Sequence, residues 1–376
     1  MKITGVDAVI LDQQPPGTPR PAPHGAQDPL VIRLRTDEGI SGYGEADTFA
    51  PVAKAIMEAP QETVLASGLA ALLVGRDPLD EGLWTELFRR TSFYGRGGVV
   101  SHTLAGVDLA LWDIRGKAAG KSVSELLGGR RRERVRAYAT MGMPADLADL
   151  PGVVAARREL GFTRMKFSLS ASPTPPSGHA ELVAAAREAV GENTELMIDV
   201  GRRWSDADAA VKLAASVESC RLGWIEEPFE PENHAAYQAL TAASAIPIST
   251  GEADSVPTEY ATILADGVAI VQPDVCRAGG FRTCLEVERL ALAADRRCIP
   301  HEWGTGIAKA ATLQLLAAMQ ADELFEYRIA QSPVMASLTA EGFPVIDGTV
   351  AVPSGRGLGI TVDDELLDRM LAGETA

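Results

Sequence analysis

From residue 135 to residue 328 the chain repeats one rhythm eight times: a short apolar run, then a helical stretch of about ten to fifteen residues. The runs are VRAYAT, RMKFSL, ELMIDV, LGWIEEP, IPISTGE, AIVQPDV, RCIPH and LFEYR. A strand followed by a helix returns most readily as a parallel neighbour, so eight such units predict an α/β fold of the TIM-barrel type. A doubly wound open sheet is the rival. It would usually carry a glycine-rich phosphate loop after its first strand, and VRAYATMGMPAD is not one.

Six of the runs finish on an acid or a histidine: Asp199, Glu226, Glu252, Asp274, His301 and Glu326. The gaps between them are 27, 26, 22, 27 and 25 residues, each close to one strand–helix unit. Each residue therefore falls on the next stave of the ring. Side-chain alternation says which way each points. Met165, Phe167 and Leu169 suit the outer helices, which turns Lys166 and Ser168 inward. By the same parity Asp199 points in with Met197, and Glu226 with Trp224, while Glu227 points away.

In a barrel of this kind the C-terminal ends of the strands line the active site. Asp199, Glu226 and Glu252 come from consecutive strands and would repel one another without a cation among them. Hard oxygen donors that leave octahedral positions open suit Mg²⁺, one per subunit. Pairing with a local arginine, or capping of the next helix, explains one such acid better than three in register. Asp274 and His301 follow on the next two strands. A carboxylate beside an imidazole orients the ring and raises its basicity, which suits a general acid or base. The other histidines, His24, His102, His179 and His234, fall at no strand end and read as surface or structural residues.

The first 128 residues differ in texture. PLVIRLRTDEGISGYGEA reads as strand, turn, strand, and two helical stretches follow, an α+β unit. GGRRRERV at 128–135 marks a boundary, so the barrel is expected over 129–340. The tail, 341–376, leaves the rhythm and is expected to pack back on the N-terminal unit. The proline-rich segment 13–29 reads as a mobile loop. A formal net charge of -16 argues against sequence-independent nucleic-acid binding, and an anionic substrate then needs locally placed cations. No run approaches the roughly 18 apolar residues of a membrane span, and the N-terminus shows no signal segment. A cytoplasmic location is expected, with Cys220, Cys276, Cys284 and Cys298 reduced and buried.

In this order and context the residues resemble the mandelate racemase and muconate lactonizing enzyme group of the enolase superfamily. The likeness covers DEGISGYGEA, GVDLALWDIRGKAAGKSVSELLGG, the strand-end residues and VPSGRGLGI near the end. It implies a modified (β/α)7β barrel under a capping domain, with magnesium on Asp199, Glu226 and Glu252. It makes Asp274 and His301 the catalytic dyad and Glu326 the acid that hydrogen-bonds a developing enediolate. It also implies a homo-oligomer, and removal of a proton next to a carboxylate.

Two positions depart from the family. Where Lys-x-Lys is common, RMKFS places Lys166 at the first lysine and Ser168 in place of the second. A serine hydroxyl is no base near neutral pH without an activator. Lys166 either takes over that task or, like its family counterpart, steadies the substrate carboxylate as a charge. Gly201 stands where relatives often carry Asn or His. One-sided chemistry favours elimination of water over racemisation: His301 removes the α-proton and, once protonated, helps the β-hydroxyl leave. The expected reaction is dehydration of an acid sugar to a 2-keto-3-deoxy acid. An epimerase, a lactone cycloisomerase and a non-catalytic sugar-acid binder are the alternatives. Substrate contacts are expected from Ser168, Arg203 and Trp303, with the loop arginines Arg20 and Arg96 as partners for a distal carboxylate.

Overall fold

The computed structural model describes residues 1–11, 28–61, 67–329 and 332–373. Arg20, His24 and most of the 13–29 segment lie outside the described residues. Three strands open the chain, β1 (Ile3–Ile10), β2 (Leu30–Thr36) and β3 (Ser41–Ala46), paired antiparallel in that order. The helix Val99–Ala119 lies against β3 at very close range. It can do so because Gly42 and Gly44 present no side chain. A Cβ there would sit 2.2 Å from the Ala110 carbonyl oxygen and 1.8 Å from that of Gly106. Leu104, Val107, Leu111 and Ile114 of the helix then bury against Ile32 and Leu34, a core separate from that of the barrel. Each such side chain contributes about 1.5–3 kcal/mol on burial.

The eight expected strands follow: β4 (Arg134–Gly142), β5 (Arg164–Ser168), β6 (Glu195–Asp199), β7 (Leu222–Glu226), β8 (Ile248–Thr250), β9 (Ile270–Val271), β10 (Arg297–Cys298) and β11 (Phe325–Arg328). Each pairs in parallel with the next from β4 to β10. β11 pairs in parallel with β4, which curls the sheet onto itself. A seam lies between β10 and β11, where no strand pairing occurs among the described residues.

Two apolar layers flank the strands. Met165, Phe167, Leu196, Ile198 and Ile225 belong to the large core shared with the outer helices. Tyr138, Met197, Trp224, Ile270, Ile299 and Leu324 form a smaller cluster inside the ring. That interior cluster is a floor. Because side chains alternate, the residue two positions beyond a floor residue is also interior. Asp199, Glu226, Gln272, His301 and Glu326 each stand two beyond one of them.

The sequence reading sends 341–376 to the N-terminal unit as one piece; the structure divides it. β12 (Val345–Ile346) and β13 (Thr349–Ala351) form a hairpin, and β13 pairs antiparallel with the first residues of β4. The helix Asp364–Leu371 then returns to the cap. There Arg33 of β2 lies 2.9 Å from Asp364, 2.6 Å from Asp368 and 2.8 Å from Asp7. Two short β-strands satisfy their backbone groups on the barrel edge, and the charged helix satisfies Arg33 on the cap. The four cysteines are buried and free. Among the described residues no helix is long and apolar enough to cross a membrane.

Candidate active site

An isolated parallel bridge joins Asp274 to His301 just beyond β9 and β10. That register sets the two side chains abreast, with His301 Nδ1 2.6 Å from Asp274 Oδ2. The other Asp274 oxygen accepts the Cys276 backbone N–H at 2.7 Å, so the carboxylate is held from both sides. With Nδ1 donating to Asp274, Nε2 is the ring nitrogen left to exchange a proton. Nε2 lies 3.2 Å from Glu252 Oε2. Burial alone would lower the His301 pKa. Glu252, the hydrogen bond to Asp274 and the charge of Glu326 outweigh burial and raise it to about 10.

Lys166 is 2% exposed and stands between two acids. Its ammonium contacts Glu226 Oε1 and lies 2.7 Å from Glu326 Oε1. Burial opposes the charge, but Glu226 and Glu326 hold its pKa well above that of an ordinary lysine. A lysine held charged this firmly takes up no proton near neutral pH. Lys166→Met would leave Glu226 and Glu326 buried without their shared cation. Breaking a buried pair from one side costs about 3–5 kcal/mol. Chemical denaturation should show a loss of that size, and a loss under 1 kcal/mol would contradict the pairing.

The three expected metal ligands come from adjacent strands. Asp199 pairs in register with Glu226, and Glu226 with Ser249, three residues before Glu252. Their side chains do not meet at one point, and among the described residues no three His, Cys, Asp or Glu side chains do so closely enough to hold an ion. Each acid turns to its nearest donor instead. Glu226 Oε2 accepts from Trp224 Nε1 at 2.9 Å and Gln272 Nε2 at 2.7 Å. Glu252 faces His301 and, at 3.5 Å, Arg277. Asp199 accepts the Gly201 N–H at 2.8 Å.

The donor chemistry nevertheless fits a hard cation. Burial raises Asp199 despite Lys166, and the charge of Glu252 adds to the rise. Burial likewise raises Glu226 to about 7. These carboxylates are short of positive charge, and His301 is drawn into supplying it. A divalent cation is the counter-charge the cluster lacks.

The remaining expected contacts divide. Ser168 is half-buried, in register with Asp199, and its hydroxyl lies 2.8 Å from that of Ser170. Arg203 is not aimed at a substrate. Its guanidinium donates to the carbonyls of Leu169, Ser172 and Thr174 at 2.7, 2.8 and 2.9 Å, which braces the loop after β5. Arg96 is exposed and lines a cavity of about 900 Å³ with Trp84, Phe88 and Arg282, a lining that includes neither residue of the dyad. Trp303 is half-buried beneath the guanidinium of Arg328.

Several site residues escape a scan for acids and histidines at strand ends. Arg202 grips Glu227 with two bonds of 3.1 and 2.8 Å. Both residues have left-handed backbones, φ 63° and 41°, a conformation that costs a non-glycine residue about 1–3 kcal/mol. The paired loops after β6 and β7 are thus held in a shape the chain would not adopt locally. Arg277 bridges cap and barrel, 2.7 Å from Asp47 and 3.5 Å from Glu252. Gln272 and Arg328 were legible by parity, each two residues from a strand-end acid on the interior face.

A parallel barrel with an antiparallel cap and an Asp–His dyad over a ring of carboxylates is the architecture of enolase-superfamily enzymes. The chain belongs to that superfamily, in the mandelate racemase/muconate lactonizing enzyme group. The family described as "Enolase C-terminal domain-like" matches residues 152–366. The family described as "Mandelate racemase / muconate lactonizing enzyme, N-terminal domain" matches residues 8–128. The chain is 33% identical to the D-galactarolactone cycloisomerase of Agrobacterium fabrum, over 90% of each protein. It is 33% identical to the D-galactonate dehydratase of Xanthomonas euvesicatoria pv. vesicatoria, over 92% of each. The crystal structure of a racemase from Streptomyces coelicolor with bound magnesium superposes with a TM-score of 0.84 at 25% identity, covering 98% of this chain and 99% of that one.

Proposed function

We propose that the protein dehydrates an acid sugar, an aldonate or an aldarate, to a 2-keto-3-deoxy acid. The observation that carries this reading is the one-sidedness of the proton chemistry. His301 and Asp274 form a proton-transfer pair on one side. On β5, where an opposing base would stand, Lys166 is fixed as a cation between Glu226 and Glu326 and Ser168 offers a neutral hydroxyl.

In this reading His301 Nε2 takes the proton from the carbon next to the substrate carboxylate. Asp274 balances the imidazolium that forms. The same proton then goes to the β-hydroxyl, which departs as water, and the enol that remains becomes the ketone. Lys166 supplies a fixed positive charge on the interior wall throughout. Asp199, Glu226 and Glu252 would hold a magnesium ion, which when bound stabilises negative charge growing on the substrate carboxylate. The likeness to a D-galactonate dehydratase supports the reaction class, and the magnesium in a related structure supports the metal.

Lactone cycloisomerisation is the second reading, favoured by the equal likeness to a D-galactarolactone cycloisomerase. One screen separates the two. Purified protein with Mg²⁺ is offered aldonates, aldarates and their lactones, and products are followed by mass and by keto-acid assay. Loss of water with keto-acid formation is the expected result. A product of unchanged mass from a lactone would establish the second reading. Epimerisation without loss of water would overturn both.

A further inference from the structure

We infer that Arg328, seated on Trp303 at the rim of the barrel, receives a second carboxylate at the far end of the substrate, so that the preferred substrate is a sugar diacid. This rests on the proposed reaction and names the substrate class within it.

The placement follows from strand geometry. Arg328 is two residues beyond Glu326 on β11, so it shares the interior face on which Leu324 and Glu326 lie. Two residues at about 3.3 Å each set it roughly 6–7 Å further towards the mouth. That is about the length of a short sugar acid. On the neighbouring strand it sits opposite Thr140 of β4. Its guanidinium lies 4.1 Å from the centre of the Trp303 ring and donates to the Trp303 carbonyl at 3.3 Å. Trp303 is itself two residues beyond His301. The stacked pair therefore spans the seam between β10 and β11, with the catalytic histidine on one side and Glu326 on the other.

Arg328 differs from the other arginines of the site. Among the described residues it makes no ion pair, whereas Arg202 pairs with Glu227, and Arg277 with Asp47 and Glu252. Burial pulls the Arg328 pKa down, and Glu302, Asp47 and Glu45 offset this only by charge at a distance. The charge of Asp47 acts on Arg328 and on His301 alike. A half-buried guanidinium backed by an aromatic ring, its fork unclaimed by any protein carboxylate described here, is built to take a planar anion with two bonds. A chain of net charge -16 has particular need of such a local cation to hold a dianion.

The test compares an aldarate with the aldonate of the same configuration. Wild-type protein should favour the aldarate in kcat/KM by about tenfold or more. A hydrogen-bonded charge pair of this kind is worth about 10- to 100-fold. Arg328→Met should therefore lower kcat/KM for the aldarate by about 30-fold, mostly through KM, and that for the aldonate by a clearly smaller factor. Arg328→Lys, which keeps stem and charge, should recover part of the loss and guards against a folding effect. Equal losses on both substrates, or a wild-type preference for the aldonate, would overturn the inference. A wild-type protein that turns over neither acid defeats the proposed reaction instead. Calorimetric binding then decides this point: diacid binding that weakens in Arg328→Met upholds it, and indifference to the substitution overturns it.

Discussion

Replacing His301 by asparagine is expected to cut turnover by about three to four orders of magnitude, the upper part of what a positioned acid–base residue supplies. The physical reason is that His301 is the group proposed to give and take the proton. Lys166 is held charged by two acids, and Ser168 offers a neutral hydroxyl beside Ser170 and Asp199. Asparagine is close to imidazole in length and can still donate to Asp274, so the fold should persist, with melting within a few degrees of wild type. Asp274→Asn should cost less. It leaves the imidazole in place but removes the acceptor that fixes its tautomer. A His301→Asn protein retaining a tenth of its activity would mean that another residue carries the proton.

Stripping divalent cations with a chelator is expected to abolish turnover, and added magnesium to restore it. Around the dyad stand Asp47, Asp199, Glu226, Glu227, Glu252 and Glu326. The fixed cations among them are Lys166, Arg202 and Arg277. Arg202 is committed to Glu227, and Arg277 chiefly to Asp47. Asp199 and Glu226 are left with too little positive charge, burial raising both, while Glu252 is compensated only by drawing on His301, Arg277 and Arg202. Removing one of these oxygens should be felt directly. Glu226→Gln or Glu252→Gln should weaken calorimetric magnesium affinity by about tenfold or more, in line with losing a ligand and its charge. Full activity in chelator, or magnesium affinity indifferent to both substitutions, would show that the carboxylates serve only the protein cations they now face.

Much of this arrangement was legible because two periodicities coincide. The period-two alternation of ELMIDV and LGWIEEP put Met197 and Trp224 on the floor and Asp199 and Glu226 above it. The spacing of about 25 residues put those ends on successive strands. Side-chain direction beyond parity was not legible. Glu226 chooses among Lys166, Trp224 and Gln272, donors from three strands, and only packing decides the choice. Arg203 went astray for a related reason: its partners are backbone carbonyls, which carry no mark in a sequence. The hairpin at 345–351 was hidden because its five paired residues are too few to show alternation, and its place is set by the free edge of β4. Arg328 lay in plain view on the face of Glu326. Its basic side chain sets it apart from the acids and the histidine that end the other strands.

The proposed reaction begins with His301 removing the hydrogen next to a carboxylate. It is tested most directly with an acid sugar lacking the β-hydroxyl, so that elimination cannot follow, incubated in deuterium oxide and watched by proton magnetic resonance. The wild-type protein should replace the α-hydrogen with deuterium, and His301→Asn should leave it in place. An α-hydrogen that stays put with the wild type, or that exchanges equally fast with both proteins, would contradict the mechanism.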